Sequence, residues 1–315
     1  MGFRARKPAA LGRPALTSIP AAAQSDRVSQ IHPPGSNRSR ASDGAPDPLA
    51  RLLALGRPAV MGVLNVTPDS FSDGGHFFDP ARAIDHAQRL VAEGADILDI
   101  GAESTRPYGG AVAVSADEEL RRLEPILPTV LGLGIPVSID TMKAPVAAWA
   151  LDAGATVAND VWGLQFDPDM ARVVAERGVP VIVMHNREAA DPTIDIMADI
   201  SAFFSRSLAI ADRAGIARDR IVLDPGIGFG KTPEQSVIAL ARMAELKSFG
   251  RPILIGASRK RFIDSVSPAP PDRRIGGSIA SHLFAAAHGA AIVRVHDVAE
   301  TVQALKVAAA IEGAT

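Results

Sequence analysis

The chain has 315 residues, of which 47% are hydrophobic and 22% charged, and its formal net charge is −2. This composition is typical of a globular enzyme with a substantial core, and the near-neutral charge gives no reason to expect nucleic acid as a partner. The chain has no cysteine, which excludes disulfides, thiolate metal ligands and a cysteine nucleophile. No apolar run approaches the roughly 18 residues of a membrane span, so no membrane partner is predicted.

The first 50 residues differ in composition from the rest of the chain. They contain seven Lys or Arg against three Asp, with many Ala, Ser and Pro and no sustained apolar period. Such a segment cannot bury enough surface to offset its conformational entropy. We therefore predict that residues 1–50 are a disordered basic extension and that residues 51–315 form the folded domain. An Arg-rich, acid-poor start can also be a transit peptide, but a variable tail or an over-long start assignment is the preferred interpretation.

From residue 59 onward, short runs rich in β-branched residues or leucine alternate with longer amphipathic segments. The predicted strands are residues 59–64, 96–101, 136–140, 156–160, 180–185, 220–224, 252–257 and 291–295. Their continuous apolar character suits strands that are buried on both faces of a parallel sheet.

Segments with helical periodicity follow these strands. They are residues 80–94, 117–132, 144–154, 167–178, 200–215, 232–250, 276–289 and 298–312. Eight strand–helix units within about 255 residues predict a single-domain α/β fold, the (β/α)8 TIM barrel. A doubly wound open sheet is the alternative, but it rarely needs eight units in series, and no G-x-G-x-x-G follows the first strand.

Polar or charged residues follow nearly every predicted strand. They are Asn65; Glu103, Ser104, Thr105 and Arg106; Asp140; Asn159 and Asp160; His185; Asp224; Ser258, Arg259 and Lys260; and Arg294 and His296. Barrel enzymes carry their sites at the C-terminal ends of the strands, so these side chains should share one rim. Each alone could be a helix N-cap or a satisfied polar group, but eight concurrent cases predict a site.

Asp140, Asn159 and Asp224 close three apolar strands, so their side chains should lie near the barrel axis. A metal site would need more carboxylates or histidines than His185 adds nearby, and paired acid–base catalysis is a second interpretation. The third is recognition of a flat heterocycle, because carboxylates accept hydrogen bonds from ring N–H groups and Lys260 can serve ring acceptors. We favour recognition of an aminated pteridine or purine edge.

Arg294 and His296 lie two residues apart, so on an extended strand they point to the same side. Two cations at this corner match the usual phosphate-binding position of these barrels, although Arg294 could instead pair with a neighbouring acid. The segment DPGIGFGK (224–231) is not a P-loop, because its glycine spacing is short by one. It predicts a tight turn that lets the backbone approach a ligand, with Phe229 as an aromatic face.

Eight blocks of the sequence together resemble the dihydropteroate synthase family. The blocks are MGVLNVTPDSFSDGG (61–75), DILDIGAESTRP (96–107), PVSIDT (136–141), ND (159–160), VMH (183–185), DPGIGFGKT (224–232), GASRK (256–260) and RVHDV (294–298). The resemblance implies a (β/α)8 barrel, usually a homodimer. It also implies a Mg²⁺-dependent transferase that joins 6-hydroxymethyl-7,8-dihydropterin diphosphate to p-aminobenzoate in folate biosynthesis, which we expect to be cytoplasmic.

Roles for individual residues complete these expectations. The predicted pterin-binding residues are Asp140, Asn159, Met184, Asp224, Phe229 and Lys260. The predicted diphosphate-binding residues are Asn65, Arg294 and His296, with Asn65 also at the Mg²⁺. The predicted p-aminobenzoate-binding residues are Thr105, Pro107 and Arg261. The predicted catalytic loop residues are Asp69, Phe71, Asp73 and Arg106, and no covalent nucleophile is implied. The stretch 65–75 is interpreted as a lid over the diphosphate and metal, made flexible by Gly74 and Gly75.

The sequence departs from the family pattern at two positions. Arg261 stands where the family commonly has serine, and Asn186 where it often has a second methionine. The first departure touches the expected site of the aminobenzoate carboxylate. Two competing interpretations are a methyltetrahydrofolate-dependent methyltransferase, which has no need of a diphosphate corner, and a pterin-binding protein without catalysis, against which the retained Asn65, Arg294 and His296 argue.

Overall fold

The computed structural model describes residues 47–67, 79–103 and 114–314, and within them lie eight short β-strands. They are β1 (Ala59–Asn65), β2 (Ile97–Gly101), β3 (Val137–Asp140), β4 (Val157–Asp160), β5 (Val181–Met184), β6 (Ile221–Asp224), β7 (Leu254–Ile255) and β8 (Ile292–Val295). All eight predicted strands are therefore present, each at the position of its apolar run.

The strands are parallel and form one sheet in the order β6-β5-β4-β3-β2-β1-β8-β7. The two ends of that order, β6 and β7, meet through a single bridge between Leu223 and Ile253, so the sheet closes into a nearly complete barrel. In the register, Asn65 lies beside Gly101, Gly101 beside Asp140, and Asp140 beside Asn159. The predicted (β/α)8 barrel is confirmed, and its C-terminal strand ends share one rim.

The described helices surround the barrel. They are α1 (Pro48–Leu53), α2 (Pro80–Ala92), α3 (Ala116–Leu123), α4 (Leu127–Leu131), α5 (Ala144–Ala153), α6 (Met170–Arg177), α7 (Ile196–Ala214), α8 (Pro233–Ala241), α9 (Arg261–Val266), α10 (Ile275–Ala287) and α11 (Val298–Glu312). Short 3-10 helices span Arg218–Arg220, Met243–Phe249 and Pro271–Arg273. Among the helices of the described ranges, none has both the length and the apolar character to cross a membrane.

Two predicted helical segments are interrupted in the structure. The segment 117–132 is divided into α3 and α4, because Pro125 and Pro128 lack the N–H of a continuing helix and crowd the preceding turn. The segment 232–250 leaves the α-helix after Ala241 and continues as a 3-10 helix. The six-residue helices α1 and α9 were not predicted, since so short a helix has too few positions to show a period.

Helix α1 closes the N-terminal end of the barrel. Its buried Leu49 and Leu52 pack into one apolar cluster with residues at or near the starts of the strands, namely Ala59, Met61, Ile97, Val157, Ile182, Val222, Leu254 and Ile292. Asp47 caps the helix by accepting a hydrogen bond from the Leu49 amide at 3.4 Å. This end of the barrel is therefore sealed with apolar side chains, which leaves the opposite rim for a polar site.

Candidate active site

Arg294 on β8 connects carboxylates from two other strands inside the rim. Its Nε donates to Asp99 Oδ2 at 2.6 Å, and its Nη2 donates to Asp140 Oδ2 at 2.7 Å. Asn159 Nδ2 donates to the same Asp99 oxygen at 3.1 Å. Four strands thus contribute to one hydrogen-bonded network, in which the two carboxylates and the amide are buried.

Two carboxylate oxygens of this network lack a hydrogen-bond donor among the described residues. Asp99 Oδ1 and Asp140 Oδ1 are buried, and neither has a hydrogen-bond partner among the described residues. A buried acceptor without a donor costs roughly 1–3 kcal/mol, so N–H groups of a bound molecule would relieve that cost. Arg294 uses Nε and Nη2 in its ion pairs, and a guanidinium has further N–H groups to offer.

Burial shifts the pKa values of three ionisable groups at the rim. Burial raises the pKa of Asp140 to about 8, with Arg294 opposing the shift and Asp99 adding to it. Burial also raises the pKa of Asp224, against the effect of Lys260. Desolvation lowers the pKa of Lys260 to about 7, although Asp224 opposes the shift. Burial therefore moves the pKa values of Asp140 and Lys260 toward neutrality from opposite sides, a pattern typical of functional sites.

Residues 224–231 form a compact turn after β6, which we call the β6 turn. Asp224 Oδ1 accepts a hydrogen bond from the Gly226 amide at 2.7 Å. Gly226 has φ +64°, and a Cβ there would lie 2.0 Å from the His185 carbonyl oxygen. The turn is therefore packed against the end of β5, as the predicted close backbone approach requires.

Lys260, at the end of the seventh strand–helix loop, reaches over the β6 turn. Its Nζ donates to the Ile227 carbonyl and lies 4.4 Å from the centroid of the Phe229 ring. Met184 ends β5, is buried, and lies beside Asp224 in the register. The structure thus brings all six predicted pterin-binding residues to one rim. They are Asp140, Asn159, Met184, Asp224, Phe229 and Lys260.

The predicted diphosphate residues are placed differently from one another. Asn65 is the last residue of β1 and is half-buried. His296 follows β8, with Nδ1 3.0 Å from Ser258 Oγ. Arg294 lies deeper, paired with Asp99 and Asp140. The guanidinium therefore adjoins the carboxylates predicted for the heterocycle, and both interpretations of Arg294, as a partner of acids and as a ligand group, remain compatible with its position.

Arg261 is the first residue of α9 and is exposed. The other predicted p-aminobenzoate residues and the predicted catalytic loop residues lie outside the described residues. They are Thr105, Pro107, Asp69, Phe71, Asp73 and Arg106. The predicted lid 65–75 is described only as far as Thr67.

Three polar residues of the predicted rim have structural partners instead. Asp160 accepts hydrogen bonds from the amides of Trp162 and Leu164 at 2.9 and 2.7 Å. Glu103 Oε2 accepts a hydrogen bond from Lys143 Nζ at 2.7 Å, and Arg259 pairs with Asp297. For these residues the structural interpretation of a satisfied polar group is the one that the geometry supports.

Sequence reasoning missed two residues that the structure places at or behind the rim. Asp99 lies within a strand that the sequence predicts as apolar, although a lone carboxylate within ILDIG (97–101) is itself a signal of a buried polar contact. Lys231 was noted only as the end of a glycine-rich turn. It is fully buried, with Nζ 2.6 Å from His185 Nδ1.

No ready-made metal cage is visible in the described parts of the chain. Residues 47–67, 79–103 and 114–314 contain no group of three or more His, Cys, Asp or Glu side chains that could hold a metal ion. A cation that is bound mainly through substrate phosphates needs fewer protein ligands.

The chain is an α/β barrel with a buried network of carboxylates, an amide and a guanidinium at its C-terminal rim. Residues 61–296 match the family described as pterin binding enzyme, and the chain belongs to that family. Relatives that the chain resembles include dihydropteroate synthases of several bacteria. The one from Bacillus subtilis is 44% identical over 248 residues, which cover 78% of this chain and 86% of that protein.

Solved structures give the same result. The dihydropteroate synthase of Clostridium difficile, determined in the presence of pteroic acid, is 48% identical with a TM-score of 0.77, covering 81% of this chain and 97% of that one. The enzyme of Xanthomonas albilineans with 4-aminobenzoic acid is 45% identical with a TM-score of 0.77, covering 81% and 93%.

Proposed function

We propose that this chain condenses 6-hydroxymethyl-7,8-dihydropterin diphosphate with p-aminobenzoate, releasing 7,8-dihydropteroate and pyrophosphate. The observation that carries the proposal is the network of Asp99, Asp140 and Asn159 around Arg294, with two buried oxygens that lack donors. The amino group and ring N–H groups of a pterin supply such donors. The similarity to dihydropteroate synthases supports the same reaction.

The pterin ring would lie between the carboxylate network and the β6 turn. Asp140 and Asp224 accept from its N–H groups, and Asn159 can both donate and accept. Lys260 donates to a ring acceptor, and Met184 and Phe229 pack against the ring faces. Because every one of these groups lies on a strand end or in a tight turn, the ring is held in one orientation before chemistry begins.

The reaction breaks the bond between the pterin methylene carbon and the diphosphate oxygen, and the electron pair leaves with pyrophosphate. Arg294 and His296 stabilise the negative charge that builds on that oxygen. The electron-rich pterin shares the positive charge left on the methylene carbon. The amine nitrogen of p-aminobenzoate then forms the new C–N bond and loses a proton, so no protein nucleophile is required.

We propose Mg²⁺ as the cofactor, with Asn65 as its protein ligand. The residues present fit this ion, because Mg²⁺ prefers oxygen donors and is commonly bound by one or two protein groups together with substrate phosphates. Asn65 offers an amide oxygen at the end of β1. When bound, the ion would add positive charge beside the departing diphosphate.

The p-aminobenzoate site is proposed at Thr105, Pro107 and Arg261, with Asp69, Phe71, Asp73 and Arg106 as the catalytic loop residues. What supports the Arg261 assignment is its place at the start of α9, directly after Lys260. A guanidinium there can make a charge-assisted hydrogen bond to a carboxylate, and the amides at a helix start favour an anion as well.

The enzyme is proposed to act as a homodimer in the cytoplasm. Large apolar side chains are exposed on the adjacent helices α10 and α11, namely Phe284, Val307 and Ile311, at 38, 55 and 65% of their full exposure. A second copy covering such a face would bury them. The charge of the substrate supports the proposed location, since a diphosphate ester does not pass an apolar bilayer and is used in the compartment where it is made.

Pyrophosphate release tests the proposed function. The purified chain is mixed with the pterin diphosphate, p-aminobenzoate and Mg²⁺, and pyrophosphate and dihydropteroate are measured together. We expect both products in equal amounts, and neither when p-aminobenzoate is left out. Pterin binding without either product would instead identify a binding protein, and methyl transfer from methyltetrahydrofolate would identify the alternative enzyme.

A further inference from the structure

Behind the β6 turn lies a buried chain of ionisable side chains that the proposed reaction does not use. Lys231 Nζ lies 2.6 Å from His185 Nδ1, and His185 Nε2 lies 3.0 Å from Asp199 Oδ2. Lys231 and His185 are fully buried. Asp199 on α7 reaches toward the surface, where Arg187 Nη1 donates to it at 2.8 Å. The chain therefore runs from the protein surface to the back of the pterin-facing turn.

Lys231 also holds the backbone of that turn. Its Nζ donates to the carbonyl oxygens of Gly226 at 2.9 Å and Phe229 at 3.1 Å. With His185 Nδ1 these are three acceptors, which matches the three N–H groups of a protonated lysine. The same side chain therefore joins the middle of the β6 turn to the end of β5.

The contacts of His185 favour one of its two neutral tautomers. If Lys231 were a neutral amine that accepted from Nδ1–H, the unprotonated Nε2 would face the Asp199 carboxylate, and two acceptors would meet. If Lys231 is an ammonium, Nδ1 accepts from it and Nε2–H donates to Asp199. In the second arrangement, each of the two contacts between Lys231, His185 and Asp199 joins a hydrogen-bond donor to an acceptor.

The electrostatic surroundings agree with a neutral imidazole beside an ionised Asp199. Burial, and then Lys231, lower the pKa of His185 to about 3. Burial raises the pKa of Asp199, but the hydrogen bonds from Arg187 and His185 outweigh it and lower that pKa overall. Burial lowers the pKa of Lys231 well below its ordinary value, and Asp224 opposes the shift. The charged form of Lys231 is therefore inferred from its three acceptors, the carbonyl oxygens of Gly226 and Phe229 and Nδ1 of His185.

We propose that Lys231, His185 and Asp199 form a positioning relay that holds the β6 turn in its pterin-binding shape. The inference rests on the proposed function, because its consequence is affinity for the pterin. Asp199 selects the Nε2–H tautomer of His185, His185 presents Nδ1 to Lys231, and Lys231 fixes two carbonyls of the turn. The β6 turn begins with Asp224 and places Phe229 beneath Lys260.

Two substitutions of His185 separate the two halves of the relay. Asparagine places a polar atom near the position of Nδ1, so His185→Asn can still accept from Lys231. Glutamine reaches the position of Nε2, so His185→Gln keeps the contact with Asp199 but leaves Lys231 without its third acceptor. Both changes remove the ring, and a histidine that only filled space would be replaced better by the larger glutamine, which is the opposite order to that expected for the relay.

The kinetic test compares these variants with Lys231→Met. We expect His185→Gln and Lys231→Met to raise the KM for the pterin diphosphate about tenfold or more, and His185→Asn to stay within about threefold of the parent. The KM for p-aminobenzoate should stay within about twofold in all three. The matched control is Asp152→Asn, which removes the charge from a surface ion pair with Arg177 and should change neither constant.

The spectroscopic test does not depend on turnover. In the 15N-histidine-labelled chain, NMR should show His185 as the neutral Nε2–H tautomer from pH 8 down to pH 5, and Asp199→Ala should shift it toward a mixture. An Nδ1–H tautomer in the parent would overturn the relay. So would equal KM changes in the two His185 variants, or an unchanged pterin affinity in folded Lys231→Met.

The two proposals fail in different ways. If the parent chain releases no pyrophosphate, the proposed function is wrong, while the tautomer and the direct affinity for hydroxymethylpterin still test the relay. If Lys231→Met does not fold, the ordering of the two His185 variants decides.

Discussion

Asp224 has two functions that one substitution can separate. Its Oδ1 caps the β6 turn at the Gly226 amide, and its charge is proposed to bind pterin N–H groups. Asp224→Asn keeps an oxygen for the cap but replaces the second acceptor by a donor. We expect pterin affinity to fall by roughly 1–3 kcal/mol, about 5- to 150-fold in Kd, with little loss of folding stability. Calorimetric titration with hydroxymethylpterin measures the change.

Asp212→Asn is the control for this prediction, because Asp212 makes a surface ion pair with Arg218. It should leave pterin affinity unchanged. Equal affinity of the parent and Asp224→Asn would show that the carboxylate does not face the ring.

At the scale of residues, the carboxylates that end strands were recognised from the sequence, and the carboxylate inside a strand was not. Asp140 and Asp224 were identified because a carboxylate that ends an apolar run marks the barrel rim. Asp99 lies two residues before the end of its strand, and only the structure shows that it shares Arg294 with Asp140. The contact between His185 and Lys231 joins residues 46 positions apart, and no local pattern encodes it.

The β6 turn is the element whose conformation a single methyl group can test. In Gly226→Ala the new Cβ would combine a positive φ with a position 2.0 Å from the His185 carbonyl. Gly178 has φ +61° and nothing within 4 Å of such a Cβ, so Gly178→Ala isolates the conformational cost. We expect about 1 kcal/mol of destabilisation for Gly178→Ala and clearly more for Gly226→Ala, together with weaker pterin binding in Gly226→Ala alone.

Thermal unfolding and pterin titration of the two glycine variants measure these effects. Equal losses of stability would mean that the β6 turn moves away from β5 at little cost. Retained pterin affinity in Gly226→Ala would mean that the turn does not shape the pocket.

At the scale of elements, the prediction succeeded for continuous apolar or amphipathic segments. It failed where prolines interrupted a helical segment or where a helix was too short to show a pattern. The eight strands were found because parallel barrel strands are apolar on both faces. The break between α3 and α4 could have been expected from Pro125 and Pro128. Helix α1 could not, because its role appears only when Leu49 and Leu52 meet the strand starts at the closed end of the barrel.

For the whole molecule, one histidine should contribute to instability in acid. His282 on α10 is buried, and neither ring nitrogen has a partner among the described residues. Burial lowers its pKa to about 4 from an ordinary 6.5, with Asp297 opposing the shift. Between these pH values the unfolded chain binds a proton that the folded chain does not, so stability falls as pH falls from about 6.5 to about 4.

The contribution of His282 is measured as a difference between two proteins. His282→Leu removes the titrating group, so the free energy of unfolding of the parent should fall by about 3 kcal/mol more than that of the variant between pH 7 and pH 4. Other groups, such as Asp140 and Asp224, also make the free energy of unfolding depend on pH. Their contributions are the same in the parent and in His282→Leu, so they cancel in the difference. Parallel stability curves would show that His282 is protonated without cost.

Because β6 and β7 meet through a single bridge, a bound ligand can stabilise the contact between these two strands. Asp224 stands on one side of this joint and Lys260 on the other, and Lys260 already reaches across it to the Ile227 carbonyl. A pterin bound by both groups would link β6 to β7, the neighbouring strands of the barrel that share the fewest hydrogen bonds. Bound substrate would then hold β6 and β7 together. The ligand-free barrel would separate between these two strands more readily than the substrate-bound barrel.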